Sequence, residues 1–106
     1  MTETLNLLVM RNITQAAVQA FNTATPFKKD NTTIEVLPNV TIMKLHGNAI
    51  AYRYNDPDRT LSITTCGWHT NTTKDRLNGI SGVSIAQKKG QWYLNGKAWD
   101  GNLINI

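Results

Sequence analysis

The chain has 106 residues, of which 41% are hydrophobic, and 11 basic against 7 acidic side chains give it a formal net charge of +4. This size and composition suit one domain over residues 1–106 with a single core, and they exclude a disordered chain. The longest apolar run, residues 7–10, is too short to cross a bilayer, so no membrane association is expected. One cysteine cannot form an internal disulfide, and no signal-peptide pattern opens the chain, so we expect a protein of the cytoplasm.

The first element is predicted to be a helix, because its apolar residues recur at intervals of three and four. These residues are Leu5, Leu8, Val9, Ile13, Ala16, Ala17 and Ala20. Asn12 can act as an N-cap with Gln15 three residues later, so the helix is predicted over 12–23. Residues 3–10 are either its extension or a loose arm. The Thr25-Pro26 pair ends the helix, because a residue before proline avoids helical geometry.

Four β-rich segments follow, and they are predicted to form an antiparallel meander because the connections between them are short. The segments are residues 32–37, 40–45, 49–54 and 60–65. Asp56 and Asp58 flank a proline between the last two segments and are interpreted as turn formers. The segment 32–37 is expected at an exposed sheet edge, where it could pair with a second copy in a dimer.

A short second helix is predicted to begin after Gly67 breaks the fourth strand. Thr70 or Thr72 supplies its N-cap, and the spacing of Thr72 and Asp75 favours a capping pair at this helix start. Trp68 is interpreted as a core anchor at the strand end. The helix offers few apolar residues, so Lys74 and Arg76 are expected to remain available at the surface.

The C-terminal part is predicted to be a β-hairpin over residues 83–95 that extends or covers the sheet, with its turn at Lys88, Lys89 and Gly90. The tail from residue 97 to 106 is expected to pair briefly, anchored by Trp99 and Leu103. The predicted fold class is therefore α+β, with an N-terminal helix, a four-stranded antiparallel meander, a short helix and a C-terminal β-hairpin.

Two arrangements of residues could support catalysis, and neither is favoured. Cys66 and His69 could form a thiol nucleophile with an imidazole base, but no third residue is evident to orient the base. His46 and His69 could act as an acid and base in RNA cleavage, but nothing in the sequence brings them together. No phosphate-binding glycine loop and no metal-ligand spacing are present, so no catalytic residue, cofactor or metal is predicted.

The basic residues suggest a binding surface. Lys88 and Lys89 stand beside Trp92 and Tyr93, and a charged hairpin tip next to exposed aromatics would suit single-stranded nucleic acid. The alternative, which we favour for Trp92, is that the lysines solubilise a turn while the aromatic side chain fills the core. The candidate binding residues over the whole chain are Trp68, His69, Thr70, Lys74, Arg76, Lys88 and Lys89.

Three motifs resemble those of a family of small proteins encoded by tailed bacteriophages. They are Leu45-His46-Gly47-Asn48-Ala49-Ile50-Ala51, then Gly67-Trp68-x-Thr70-x-Thr72-Thr73-x-x-Arg76-Leu77-Asn78, and Gln87-Lys88-Lys89-Gly90-x-Trp92-Tyr93-Leu94. The resemblance covers roughly residue 27 to the C-terminus and implies a phage accessory protein made in the bacterial cytoplasm. The resemblance does not assign any catalytic residue in this chain.

Our functional hypothesis is a non-enzymatic protein that binds and modulates a host or defence macromolecule, such as a nucleoprotein or a nuclease complex. The alternative is direct binding of nucleic acid by the basic surface, which the net positive charge favours through long-range attraction. A small hydrolase or nuclease is less favoured, and a structural part of the virion remains open.

Overall fold

A computed structural model describes the backbone of residues 2–106 and the side chains from Asn12 onward. The protein is α+β, as predicted. Helix α1 spans Thr2–Asn22, so residues 3–10 are its extension, and helix α2 spans Asn71–Asn78. The strands are β1 Phe27–Lys29, β2 Thr32–Val36, β3 Val40–Leu45, β4 Asn48–Tyr54, β5 Leu61–Ile63, β6 Ile85–Lys88, β7 Gln91–Leu94, β8 Lys97–Ala98 and β9 Ile104–Asn105.

The first sheet contains the predicted meander at its centre and two further strands at its edges. Its order is β1-β2-β3-β4-β5-β9, and every neighbouring pair is antiparallel. Strand β1 was not predicted, because a segment of three residues carries too little alternation to be recognised. Strand β9 confirms the expectation that the tail pairs briefly. Strand β1 pairs Lys29 with Thr32 and Phe27 with Ile34. The expectation of an exposed edge at 32–37 is therefore wrong for residues 32–34, which pair with β1.

The predicted C-terminal hairpin forms a second sheet of its own, with the order β6-β7-β8. Trp92 and Leu94 of β7 are 3% and 6% exposed, and they belong to the same buried cluster as Ile50 and Ile63 of the first sheet. Of the two alternatives, the hairpin thus covers the first sheet and does not extend it. The alternation of β7 turns Tyr93 away from this core.

The core lies between the helices and the two sheets. It takes Ala17 and Phe21 from α1 and Leu77 from α2, all fully buried. Trp99 is 6% exposed and anchors the tail as predicted, whereas Leu103 is 61% exposed, so its predicted anchoring role is wrong. In the described part of the chain, neither helix combines the length and hydrophobicity that a bilayer crossing requires.

Candidate functional site

The start of helix α2 is fixed by Thr70, which is one of the two predicted caps. Thr70 has extended backbone angles, and its Oγ1 accepts a hydrogen bond of 3.1 Å from the backbone N–H of Thr73. The predicted capping pair of Thr72 and Asp75 is wrong, because the helix starts two residues too early for it. The carboxylate of Asp75 instead accepts hydrogen bonds from side chains of Thr14 and Arg76.

Arg76 is a buried structural residue and does not contribute to a binding surface. Its side chain is 2% exposed, and Nε donates to the hydroxyl of Thr32 at 3.0 Å. One terminal nitrogen, Nη1, donates to the Thr14 hydroxyl at 2.8 Å and to the Asp75 carboxylate at 2.7 Å. The prediction that Arg76 is available at the surface is therefore wrong. The hydroxyls of α1 and β2 provide the partners that make burial of this charge tolerable.

Trp68 lies at the surface, so its predicted role as a core anchor is also wrong. Its side chain is 59% exposed, although its backbone N–H donates to the carbonyl of Thr65 at 2.9 Å. Cys66 and Gly67 precede it with φ angles of 53° and 83°. Two successive left-handed residues reverse the chain within this turn and direct the indole outward. The tight turn holds the backbone of an exposed tryptophan in place.

A depression of about 400 Å³ lies beside this tryptophan, between the β3–β4 turn, the Trp68 turn and the start of α2. We call it the Trp68 depression. Leu45 and Ile50 are 5% and 1% exposed and line its floor. Its other lining residues are His46, Asn48, Thr65, Thr70, Thr72 and Thr73. No acidic side chain is among these described lining residues.

Sequence reasoning missed the contribution of strands β3 and β4 to the Trp68 depression. Leu45 and Ile50 are buried, so most of their surface belongs to the core. The signal that could have found them is the first family-like motif, which spans residues 45–51 and holds His46 and Asn48 as well. The turn between β3 and β4 places this motif opposite Trp68 and Thr70.

His69 and Lys74 are held around Trp92, away from the Trp68 depression. The imidazole of His69 lies edge-on to the Trp92 ring, with centroids 4.9 Å apart and an interplanar angle of 78°. Its Nε2 is 3.0 Å from the backbone carbonyl oxygen of Asp100. The Lys74 ammonium lies 5.9 Å from the Trp92 ring centroid, within cation–π range. Trp92 is buried as predicted, and both polar side chains lie near its ring.

Lys88 and Lys89 occupy the tip of the β6–β7 hairpin, as predicted. Both are exposed, and Lys89 and Gly90 form the turn with φ angles of 52° and 80°. The seven predicted site residues therefore do not form one surface. Trp68 and Thr70 border one depression, His69 and Lys74 contact Trp92, the two lysines occupy the hairpin tip, and Arg76 lies in the core.

The geometry separates the residues considered for catalysis. The Cys66 thiol donates to the carbonyl of Ala49 at 2.7 Å, and the described side chains show no hydrogen bond between Cys66 and His69. His46 lines the Trp68 depression, whereas His69 lines a second depression of about 370 Å³ beside Trp92. Within the described residues, no group of three or more His, Cys, Asp or Glu side chains is placed to hold a metal ion.

A protein-family model described as Kyanoviridae Gp96 protein matches residues 10–105 of the chain. The chain belongs to this family. Kyanoviridae are tailed phages of cyanobacteria, so the resemblance to small tailed-phage proteins is confirmed. Neither a search of curated proteins nor a search of solved structures found a match. The matched range of this phage protein includes the Trp68 depression, helix α2 and both sheets.

Proposed function

We propose that this phage protein acts without catalysis, by binding a protein of the infected host at the Trp68 depression. The observation that carries the proposal is the exposure of Trp68, 59%, directly beside a depression with an apolar floor. Tryptophan is the residue type most enriched among those that dominate binding energy at protein interfaces. An exposed indole held by an ordered turn loses little conformational freedom when a partner covers it.

The composition of the Trp68 depression supports a protein partner. Leu45 and Ile50 provide an apolar floor, while Asn48 and Thr72 add hydrogen-bonding groups to its lining. An apolar centre with a polar rim is the usual anatomy of a protein interface. A volume of about 400 Å³ is sufficient for one or two apolar side chains of a partner.

The charge of the chain favours an acidic host surface as the partner. The formal net charge is +4, and no acidic side chain is among the described residues that line the Trp68 depression. Complementary charge speeds the encounter of two proteins and orients it, while the buried contacts determine how long the complex lasts. In this proposal the contacts of Trp68 provide the affinity, and the net positive charge of the chain steers the encounter.

The proposal of a non-enzymatic role is supported by the contacts of the reactive side chains. The Cys66 thiol and the His69 imidazole are each hydrogen-bonded to a different backbone carbonyl. A nucleophile and its base must instead lie within hydrogen-bond reach of each other. Catalysis by Cys66 and His69 would require both side chains to leave these carbonyls, whereas binding at the Trp68 depression requires neither to move.

Affinity capture from a lysate of infected cyanobacterial host cells tests the proposed function. The wild-type protein should retain a host protein, and Trp68→Ala should lower the affinity for it by at least about 30-fold, as expected for a central aromatic contact. Leu103→Ala is the matched control, because Leu103 is 61% exposed and does not line the Trp68 depression. Equal retention by Trp68→Ala and Leu103→Ala would contradict the proposal.

A further inference from the structure

The outer face of the second sheet has an aromatic side chain at its centre. Strand β7 is the middle strand, and its residues Trp92 and Leu94 face the core with 3% and 6% exposure. Tyr93 lies between them and so points to the opposite face, where it is half-buried. Its direct cross-strand partners are Ala86 on β6 and Ala98 on β8.

These two alanines leave part of the half-buried tyrosine side chain accessible to solvent. Directly opposed residues in an antiparallel sheet have Cβ atoms about 5 Å apart, so large partners would pack over the ring. A methyl group on each side cannot do this. Both alanines are exposed, as is Lys88, which lies diagonally across from Tyr93 on the same face. The outer face of the sheet thus has a partly accessible tyrosine with a lysine diagonally across from it.

The charged side chains within the second sheet itself have one sign. Residues 77–99 contain Lys88, Lys89 and Lys97 and no aspartate or glutamate. None of these three lysines forms an ion pair with another residue that the structure describes. Asp100 lines the depression beside Trp92 together with Gly90 and Gln91, but in the described part of the chain it forms no ion pair with these lysines. Their charge is therefore available to attract an anionic partner.

We infer that the outer face of the second sheet binds single-stranded nucleic acid, with a base stacked on Tyr93 and phosphates contacted by Lys88 and Lys89. A flat aromatic ring can stack on any base. The ammonium groups at the hairpin tip can contact the phosphates of the nucleotides next to the stacked base. A base within a duplex is already stacked on its neighbours, so the tyrosine ring selects unpaired strands. This inference uses residues remote from the Trp68 depression and does not depend on the function proposed for it.

A salt titration tests the phosphate contacts. Binding of a fluorescein-labelled oligothymidylate is followed by fluorescence anisotropy for the wild-type protein and for the double variant Lys88→Gln/Lys89→Gln. Loss of two phosphate contacts should reduce the slope of log affinity against log salt by about 1.4, at about 0.7 for each contact with a single strand. The matched control is Lys28→Gln/Lys29→Gln, which removes the same charge from β1 of the first sheet and should leave the slope unchanged.

Substitution of Tyr93 tests the stacking contact at fixed salt. Tyr93→Leu should weaken binding about 5- to 100-fold, while Tyr93→Phe should retain the wild-type affinity because it keeps the ring. Unchanged melting temperatures establish that each variant is folded, and Trp68→Ala should bind the oligonucleotide normally. The inference is overturned if the wild-type protein fails to bind at low salt, if the two double variants have equal slopes, or if a duplex of the same length binds as tightly.

Discussion

The guanidinium of Arg76 and the hydroxyl of Thr14 are 62 positions apart in the sequence and 2.8 Å apart in the fold. The same guanidinium reaches Thr32 at 3.0 Å, so one side chain connects α2 to both α1 and β2. Every described buried side-chain nitrogen or oxygen has a hydrogen-bond partner. Arg76 is central to these hydrogen bonds, because its guanidinium contacts side chains of α1 and β2 as well as Asp75 of its own helix.

Arg76→Ala should destabilise the protein by about 2–4 kcal/mol, because it removes the cation paired with the Asp75 carboxylate and the donor to the hydroxyls of Thr14 and Thr32. Lys74→Ala is the matched control, since it removes the same charge from the same helix. It should cost less than about 1 kcal/mol, because the ammonium contributes only a cation–π contact with Trp92. Urea unfolding measures both, and equal losses would contradict the structural role of Arg76.

Gly101→Ala should destabilise the protein more than Gly82→Ala. Both glycines have a φ of +90°, which costs an alanine about 1–2 kcal/mol. Only at Gly101 would a Cβ also lie 2.4 Å from Oγ1 of Thr65 and 2.8 Å from Nε2 of His69, whereas at Gly82 nothing lies within 4 Å. The difference between the two variants in urea unfolding isolates this steric contact, expected at about 1–3 kcal/mol.

Thr70→Ala should lower the stability by about 1 kcal/mol, because it removes the side-chain oxygen that accepts from the Thr73 N–H. Thr72→Ala should cost less than about 0.5 kcal/mol, since Thr72 lies inside the helix and caps nothing. Thermal unfolding of the two variants checks the order. A larger loss of stability for Thr72→Ala would contradict this assignment, because it would indicate that Thr72 and Asp75 form the cap.

Asp56 should contribute stability that is lost in acid. Hydrogen bonds from the hydroxyl of Thr60, and then from its backbone N–H at 2.8 Å, lower the pKa of the Asp56 carboxyl. A carboxyl whose pKa is lowered by folding stabilises the protein above its unfolded pKa, near pH 4, and ceases to do so as the pH falls through its folded pKa.

The difference in unfolding free energy between the wild-type protein and Asp56→Ala should therefore be largest near pH 7 and should decrease below about pH 4. Urea unfolding at several pH values measures it, with Asp58→Ala as the control from the same turn. A difference that stayed constant down to pH 2 would show that ionisation of Asp56 does not contribute.

The local features of the fold were predictable from local patterns. The helix end near Thr25-Pro26, the four central strands and the turn formed by Asp56 follow from residue periodicity and turn chemistry. Trp92 was correctly assigned to the core from its size. The short strand β1 was missed, because it depends on the neighbouring strand β2 for its hydrogen bonds.

The candidate site was less predictable, because the burial of Arg76 and the exposure of Trp68 are the reverse of what is usual for these residue types. A charged arginine is normally exposed and a tryptophan normally buried, yet Arg76 is 2% exposed at its side chain and Trp68 59%. His69 was named as a candidate binding residue, and its contact with Trp92 depends on how the second sheet packs against the loop before α2. The spacing of residues along the sequence does not predict how these two segments pack together.

The sequence alone therefore determined the class of the fold, the order of its main elements and the positive charge, since these depend on residues close in the chain or on composition. The tertiary structure decided which polar side chains are available for binding. The partners that bury Arg76 come from 44 and 62 positions earlier, and the floor beside Trp68 comes from β3 and β4. A side chain's exposure depends on what distant segments place against it, so only the folded chain could distinguish the surface tryptophan from the buried arginine.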